Sequence, residues 1–329
     1  MTRPETGSAA AGLRAHAFGL AVAAPGELVG LPADPDPGAG PRTWIELAAP
    51  GPAPRPGGEE VRMVRGPDGE VSLSVHRENS GGYLLRLHAV GAYRIAADGL
   101  RVTCFPDAGV ERWRWQRAIV NQVLPLAATL RGFEVLHAGA VSMRGRVVAI
   151  VGHPGAGKSS TTLNLLLRGA GFFTDDALAV ERRGESIVAH PGAAVANFPR
   201  DERELMAGGE PERLGTVLGG EADFKSLLAV EREESPLPLG ALYFLRRDRD
   251  EPETRFEPVV EGAAAMLLGS TYVLSVRSPR RLGNQLDLCA AIAGQTPIFD
   301  VLVPPAVAAR ESAAAIMEHA GGLLEGAAA

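Results

Sequence analysis

The chain has 329 residues, of which 46% are hydrophobic, 5% aromatic and 22% charged, with a formal net charge of −6. This length allows one large or two ordinary domains with an ample core, and the lack of a basic excess argues against nucleic acid or an anionic membrane as partner. No apolar run reaches the length of a membrane span, residues 1–12 lack a secretory signal pattern, and the two cysteines, Cys104 and Cys289, lie far apart; a reducing, cytoplasmic setting without disulfides or a zinc site is expected.

In chain order, residues 32–60 carry Pro32, Pro35, Pro37, Pro41, Pro50, Pro52, Pro54 and Pro56 and read as loop or linker. Residues 61–105 read as β-hairpins: 61–64 and 71–75 flank Gly66-Pro67-Asp68-Gly69, and 93–95 and 100–105 flank Ala97-Asp98-Gly99. Cys104 falls in the last of these runs as a buried apolar residue. Trp115, Ile119, Val123, Leu124 and Ala127 recur at helical spacing over 111–130 despite Pro125, with Trp113 and Trp115 read as core.

Residues 136–142 then read as a strand that Arg144-Gly145 turns tightly into a second, 146–151. A helix over 159–168, rich in leucine, closes at Gly169, and the strand Phe172-Phe173-Thr174 runs into Asp175-Asp176. Beyond it, 188–190, 241–245 and 298–303 read as strands, and 261–268 and 282–292 as helices. Residues 208–239 read mostly as loop, and a last helix, 306–317, follows Pro304-Pro305. The expected organisation is a β-rich region with a helix over 1–130, followed by an α/β domain with a mixed sheet over 131–320.

Between the hairpin and the helix lies Gly152-His153-Pro154-Gly155-Ala156-Gly157-Lys158-Ser159. It fits the pattern G-x-x-x-x-G-K-[ST], in which backbone N–H groups cradle phosphates, the lysine reaches the β/γ-phosphates and the hydroxyl reaches Mg²⁺. Of 33 basic residues only Lys158 and Lys225 are lysines. A chain that otherwise uses arginine has kept an ammonium where the motif needs a compact cation. With Ser160 on the first helical turn, residues 152–160 form the expected nucleotide-binding segment, and ATP with Mg²⁺ is the expected ligand pair. Asp175 and Asp176 follow Lys158 after one helix and one strand. One carboxylate is then available for metal-bound water and the other to take a proton from an acceptor hydroxyl.

Leu136-His137-Ala138, the hairpin, the glycine-rich loop, the helix ending Arg168-Gly169 and Thr174-Asp175-Asp176 together resemble the bacterial HPr kinase/phosphorylase C-terminal domain. The likeness is closer to the HPr-kinase-like proteins of biosynthetic clusters. It is close over 136–180 and looser to about 305, through Ala189-His190-Pro191-Gly192, 241–245 and 298–303. The resemblance implies a P-loop fold shared with phosphoenolpyruvate carboxykinase, and an ATP- and Mg²⁺-dependent serine kinase. It implies a catalytic set of Asp175, Asp176, Lys158 and His137, with Asp175 the first choice as general base and Ser159 and Asp176 at the metal. The implied partner is a small protein or peptide carrying Ser or Thr, and a homo-oligomer is compatible with it.

The family's glutamate- and glycine-rich segment after the aspartates is replaced here by His190-Pro191-Gly192-Ala193-Ala194-Val195, which lacks the glutamate. That departure speaks against HPr as the substrate and against a reverse phosphorylase reaction. The N-terminal region shows no match to the family's usual N-terminal domain. Two other readings are a kinase for a small metabolite and a nucleotide-binding regulator without transfer. A GTPase is disfavoured because no Asn-Lys-x-Asp segment is present. Lys225 is a secondary candidate for phosphate or acceptor contact. Arg246, Arg247 and Arg249 read as a solvated charge run that could otherwise stabilise transferring charge.

Overall fold

The computed structural model describes residues 12–34, 40–49, 51–66, 68–199, 214–220 and 225–326. The fold is mixed α/β, with three sheets among the described residues. The first sheet opens with β1 (Leu13–Ala17) and β2 (Leu20–Ala24), joined at Phe18-Gly19 with φ of 55° and 78°. Two left-handed residues form the turn that matches strand twist. β3 (Arg42–Leu47) lies parallel between β2 and β8 (Arg101–Pro106), so the proline-rich stretch is not loop throughout. Thr43 and Ile45 are buried and alternate with outward residues; burial on this strand outweighs the turn signal of the flanking prolines. β4 (Glu59–Arg65), β5 (Val71–Arg77), β6 (Tyr83–Leu87) and β7 (Gly91–Ile95) complete an antiparallel meander that contains both expected hairpins.

The expected helix is one helical stretch in three parts: α1 (Arg112–Ala118), a π-helical turn Ile119–Val123, and α2 (Leu124–Leu130). Pro125 stands in the first turn of α2, where the wide turn before it frees the position from an N–H requirement. Trp115 is buried in the core, and Trp113 packs at its margin with its indole N–H on Glu111, 3.0 Å away.

The predicted strand 136–142 is broken at His137 into β9 (Glu134–Leu136) and β10 (Ala138–Met143). The His137 N–H leaves the ladder to donate to the Ser270 carbonyl at 2.6 Å. β10 turns at Arg144-Gly145, with φ of 52° and 70°, into β11 (Arg146–Gly152), and Ala138 stands opposite Val151. The strand entering the glycine-rich loop therefore has an antiparallel neighbour, as the sequence suggests. On its other side β11 pairs in parallel with a long strand, β18 (Leu237–Arg247), which pairs in parallel with β20 (Ile298–Val303).

Alternation along β11 sorts its side chains between two cores. Val148 and Ile150 face α3 (Lys158–Leu167) and the C-terminal helix. Val147, Ala149 and Val151 face Leu267, Cys289 and Ile292. These belong to α4 (Ala263–Gly269) and α5 (Pro279–Gln295); the C-terminal helix, α6 (Ala309–Gly326), starts later and runs further than expected. The same sheet contains β12 (Gly171–Thr174), β13 (Leu178–Arg183) and β14 (Ser186–His190), with β19 (Arg255–Pro258) along β20.

The third sheet joins β15 (Val195–Pro199), β17 (Lys225–Val230) and β16 (Gly215–Gly220). The loop expected over 208–239 is corrected by these strands and by the start of β18, while residues 208–213 and 221–224 lie outside the described residues. Leu227, Leu228 and Val230 are buried there, so two sides of β17 have partners that local sequence does not reveal.

One core runs from the first sheet and the helical stretch into Val135, Ala179, Ala193, Val195, Leu227 and Val273. A second tie is polar: Arg232 donates to the Gly192 carbonyl and, at 2.7 Å, to that of His16. The two cysteines are free and buried, and burial pushes the Cys104 thiol up to about 12 and that of Cys289 to about 11. Among the described residues no helix is long and apolar enough to cross a membrane.

Candidate functional site

The glycine-rich loop leaves the C-terminal end of β11, where Gly152 stands beside Leu245 of β18, and enters α3 at Gly157. Gly157 has φ of 100° and caps α3 without any side-chain hydrogen bond to the first-turn N–H groups. Those donors and the positive end of the helix dipole face the loop, which is the physical basis of anion binding at a helix start. Gly152 admits no side chain, because a Cβ would come within 2.8 Å of the Leu245 carbonyl oxygen.

Lys158 is buried, and its ammonium donates to the carbonyls of Gly152 at 2.8 Å and His153 at 3.3 Å. The next residue, Ser159, donates its hydroxyl to Asp175 Oδ1 at 3.2 Å. The hydroxyl at the helix start, beside Lys158, and the Asp175 carboxylate thus meet although β12 and most of α3 separate them in sequence.

The aspartates sit in a turn after β12, not on the strand. The Ala177 N–H donates to the Asp175 carbonyl at 2.8 Å, Thr174 Oγ1 donates to the Ala177 carbonyl at 2.7 Å, and Asp176 has a left-handed φ of 63°. Aspartate tolerates that conformation better than most side chains, and the turn lets adjacent carboxylates face one group. That group is Asn197 of β15, which is buried. Its backbone N–H donates to Asp175 Oδ2 at 2.7 Å, and its amide Nδ2 to Asp175 Oδ2 at 3.0 Å and Asp176 Oδ2 at 3.2 Å. The amide carbonyl in turn accepts from Arg117 Nη2 at 2.6 Å and Asn121 Nδ2 at 3.5 Å.

Asp175 therefore accepts from three donors on two residues, whereas Asp176 accepts a side-chain bond from Asn197 alone among the described residues. His137 Nδ1 lies 3.0 Å from the Asp176 carbonyl oxygen; because a carbonyl only accepts, Nδ1 carries a proton there. His137 also lies against Tyr272, ring centroids 5.5 Å apart. The Tyr272 hydroxyl donates to the Asn121 carbonyl at 2.5 Å and accepts from Gln122 at 3.0 Å. Burial first, and the nearby charge of Asp176 second, push the Tyr272 phenol well above its ordinary range, so it stays neutral.

All catalytic candidates are thus gathered in one place. The metal-ligand candidates Ser159 and Asp176 are not themselves paired: the carboxylate at Ser159 is that of Asp175. Hard oxygen donors of this kind suit Mg²⁺, which is commonly held by one or two carboxylates together with substrate phosphates. No group of three or more His, Cys, Asp or Glu that could hold a metal occurs among the described residues. Of the secondary candidates, Arg247 lies beside the loop, its Nη2 3.6 Å from where a Gly157 Cβ would be, and donates to the Pro304 and Val307 carbonyls. Arg246 pairs with Asp300 at 3.1 Å, and Arg249 is exposed. Lys225 opens β17, paired opposite Pro199.

Asn197 was missed in the sequence. Its signal was slight: a polar residue in an apolar run five positions after Gly192.

No protein-family model matches the chain, and no curated protein does. Among solved structures it is similar to the Hpr(Ser) kinase/phosphatase from Coxiella burnetii, at 11% identity over 56% of this chain and 95% of that one. The TM-score is 0.30, and a likeness at that level carries no argument about fold or function.

Proposed function

We propose that this protein is a phosphotransferase that uses ATP and Mg²⁺ to phosphorylate an acceptor hydroxyl. The observation that carries the reading is the convergence of Lys158, Ser159 and Asp175 at the open start of α3, with Asp176 bridged to the same asparagine. A protein that only bound nucleotide would have no use for a second, less engaged carboxylate.

In this reading the N–H groups of residues 153–159 and the Lys158 ammonium hold the polyphosphate. Ser159 and Asp175 would hold Mg²⁺, which supplies charge neutralisation on the phosphate oxygens when bound. The role of base passes to Asp176, because Asp175 stands at the Ser159 hydroxyl, where the metal would be held, while Asp176 accepts a side-chain bond from Asn197 alone among the described residues. The acceptor oxygen forms a bond to the terminal phosphorus as the bond from that phosphorus to the bridging oxygen breaks. The electron pair leaves with ADP, and the hydroxyl proton goes to the Asp176 carboxylate. Asn197 keeps the two carboxylates apart in role by tying them to one amide, and Arg117 fixes that amide's orientation.

The test is nucleotide and transfer measured separately. Lys158→Ala is expected to lose ATP-analogue binding and transfer together, Asp176→Asn to keep binding and lose transfer, and Asp175→Asn to raise the Mg²⁺ concentration needed for tight nucleotide binding. Full transfer by Asp176→Asn sinks its role as base. The proposal of a Ser or Thr of a small protein or peptide as acceptor rests on the resemblance alone; the shape of the site supports a smaller one.

A further inference from the structure

We infer that the cavity between the first sheet and the glycine-rich loop is the acceptor site, and that it takes a small, largely apolar molecule bearing a hydroxyl and an anionic group. This deepens the phosphotransferase reading and rests on it. The cavity has a volume of about 750 Å³, within the usual range of small-molecule sites. Its walls combine Leu73 and Leu87 of the first sheet with Phe244 of β18 and Met266, Tyr272 and Leu274 around the end of α4.

Its position relative to the loop decides what it receives. Gly152, His153 and Pro154 line it, and the carbonyls of the first two accept from Lys158. The lysine of such a loop reaches the β/γ-phosphates, so the cavity meets a bound nucleotide at its transferring end and not at its base. His137 and Tyr272 also line it. They are the lining residues nearest Asp176: the His137 ring bonds to the Asp176 backbone carbonyl at 3.0 Å, and the Tyr272 ring lies against His137. In this assignment a hydroxyl held at the His137 and Tyr272 wall is presented toward Asp176; its oxygen attacks phosphorus while its proton passes to Asp176 and ADP departs with the electron pair.

Two guanidinium groups border the cavity, and they differ. Arg246 is neutralised by Asp300, which also lines it. Arg62, half-buried on β4, makes no hydrogen bond or ion pair with any described residue. A half-buried cation on an otherwise apolar wall is matched by a carboxylate or another anion on the ligand. Walls on a sheet, a strand end and a helix end suit a compact molecule.

The experiment uses the full chain with ATP and four probes: mandelate, hydroxyphenylpropionate, hydroxydecanoate, and a seryl tripeptide blocked at both ends, with methyl esters of the acids as controls. Phosphate monoesters are read by mass spectrometry, and nucleotide affinity by titration with a non-hydrolysable ATP analogue. At least one acid is expected to be phosphorylated. Its ester and the Arg62→Gln variant should each lose about tenfold or more in kcat/KM, with no further loss when combined. Leu73→Trp should abolish acceptor turnover while analogue affinity stays within roughly twofold.

Phosphorylation of the tripeptide but none of the acids, no turnover of any probe, or turnover indifferent to both substitutions overturns the assignment. So does loss of analogue affinity in Leu73→Trp, which would make the cavity the base site while leaving phosphotransfer intact. Failure of the wild-type chain to bind the analogue overturns the phosphotransferase reading as well. Unchanged thermal unfolding of Arg62→Gln, a half-exposed position, guards against misreading a folding defect.

Discussion

The segment from His137 to Asp176 and the shell of residues that holds it are built in opposite ways. The segment is contiguous: a strand, a two-residue turn, a strand, a loop, a helix and a short strand bring His137, Lys158, Ser159 and both aspartates together. The shell is assembled from distant elements: Arg117 and Asn121 from the helical stretch, Asn197 from β15 and Tyr272 after α4. Chemistry-bearing groups come from the first, and the distinction between two adjacent carboxylates comes from the second. A local motif supplies donors and charges, but their separate roles depend on what packs behind them.

The largest expected effect tests the contiguous part. Asp176→Asn should lower transfer by about 10³-fold, the scale of a lost general base, with nucleotide affinity kept. Comparable loss in Asp175→Asn without any change in Mg²⁺ dependence would mean that the carboxylates share one role. Lys158→Ala should cost about 10²–10³-fold in transfer, with binding falling alongside it.

Asn197→Ala probes the shell directly. It removes two side-chain hydrogen bonds from the aspartates and one acceptor from the Arg117 guanidinium, at a stability cost of about 1–3 kcal/mol, measured by urea unfolding. Activity should fall too, and its Mg²⁺ dependence should shift. If it changes stability alone, the shell is scaffolding and the comparison loses its functional half. Asn197→Asp, which places a third carboxylate beside the pair, should be worse than alanine at low Mg²⁺ and recover as Mg²⁺ is raised.

The smallest effect concerns pH. His190 ends β14, and burial holds its imidazole below its ordinary value of 6.5, against the opposing effect of the hydrogen bond its Nε2 makes to the Glu181 carboxylate at 2.9 Å. An unfolded chain takes up this proton before the folded one does, so the contribution of His190 is present above 6.5 and is lost as pH falls through the depressed folded value. His190→Gln should flatten that acid-side decline in urea unfolding. A steeper decline in the variant would contradict the sign.

Legibility in the sequence follows the same divide. A glycine-rich loop and a two-residue turn make strict local demands, so Gly157 and Arg144-Gly145 announced themselves. β3 did not, because it is stabilised by parallel partners far along the chain and not by its own proline-flanked composition. Asn197 had the same fault: β15 is defined by β17, and a buried polar residue looks like any outward-facing one until the carboxylates it serves are in place. The break in the strand at His137 was not legible, because the Ser270 carbonyl that draws its N–H away comes from the other end of the domain.

The tight turn at Arg144-Gly145 has one more consequence. With Ala138 opposite Val151, the hairpin works as a ruler between the residue just before β10, His137, and the last residue of β11, Gly152. One residue added within β10 would slide the strand by about 3.4 Å and exchange its two faces. Length between these two positions is therefore fixed as tightly as the packing of the buried strands themselves.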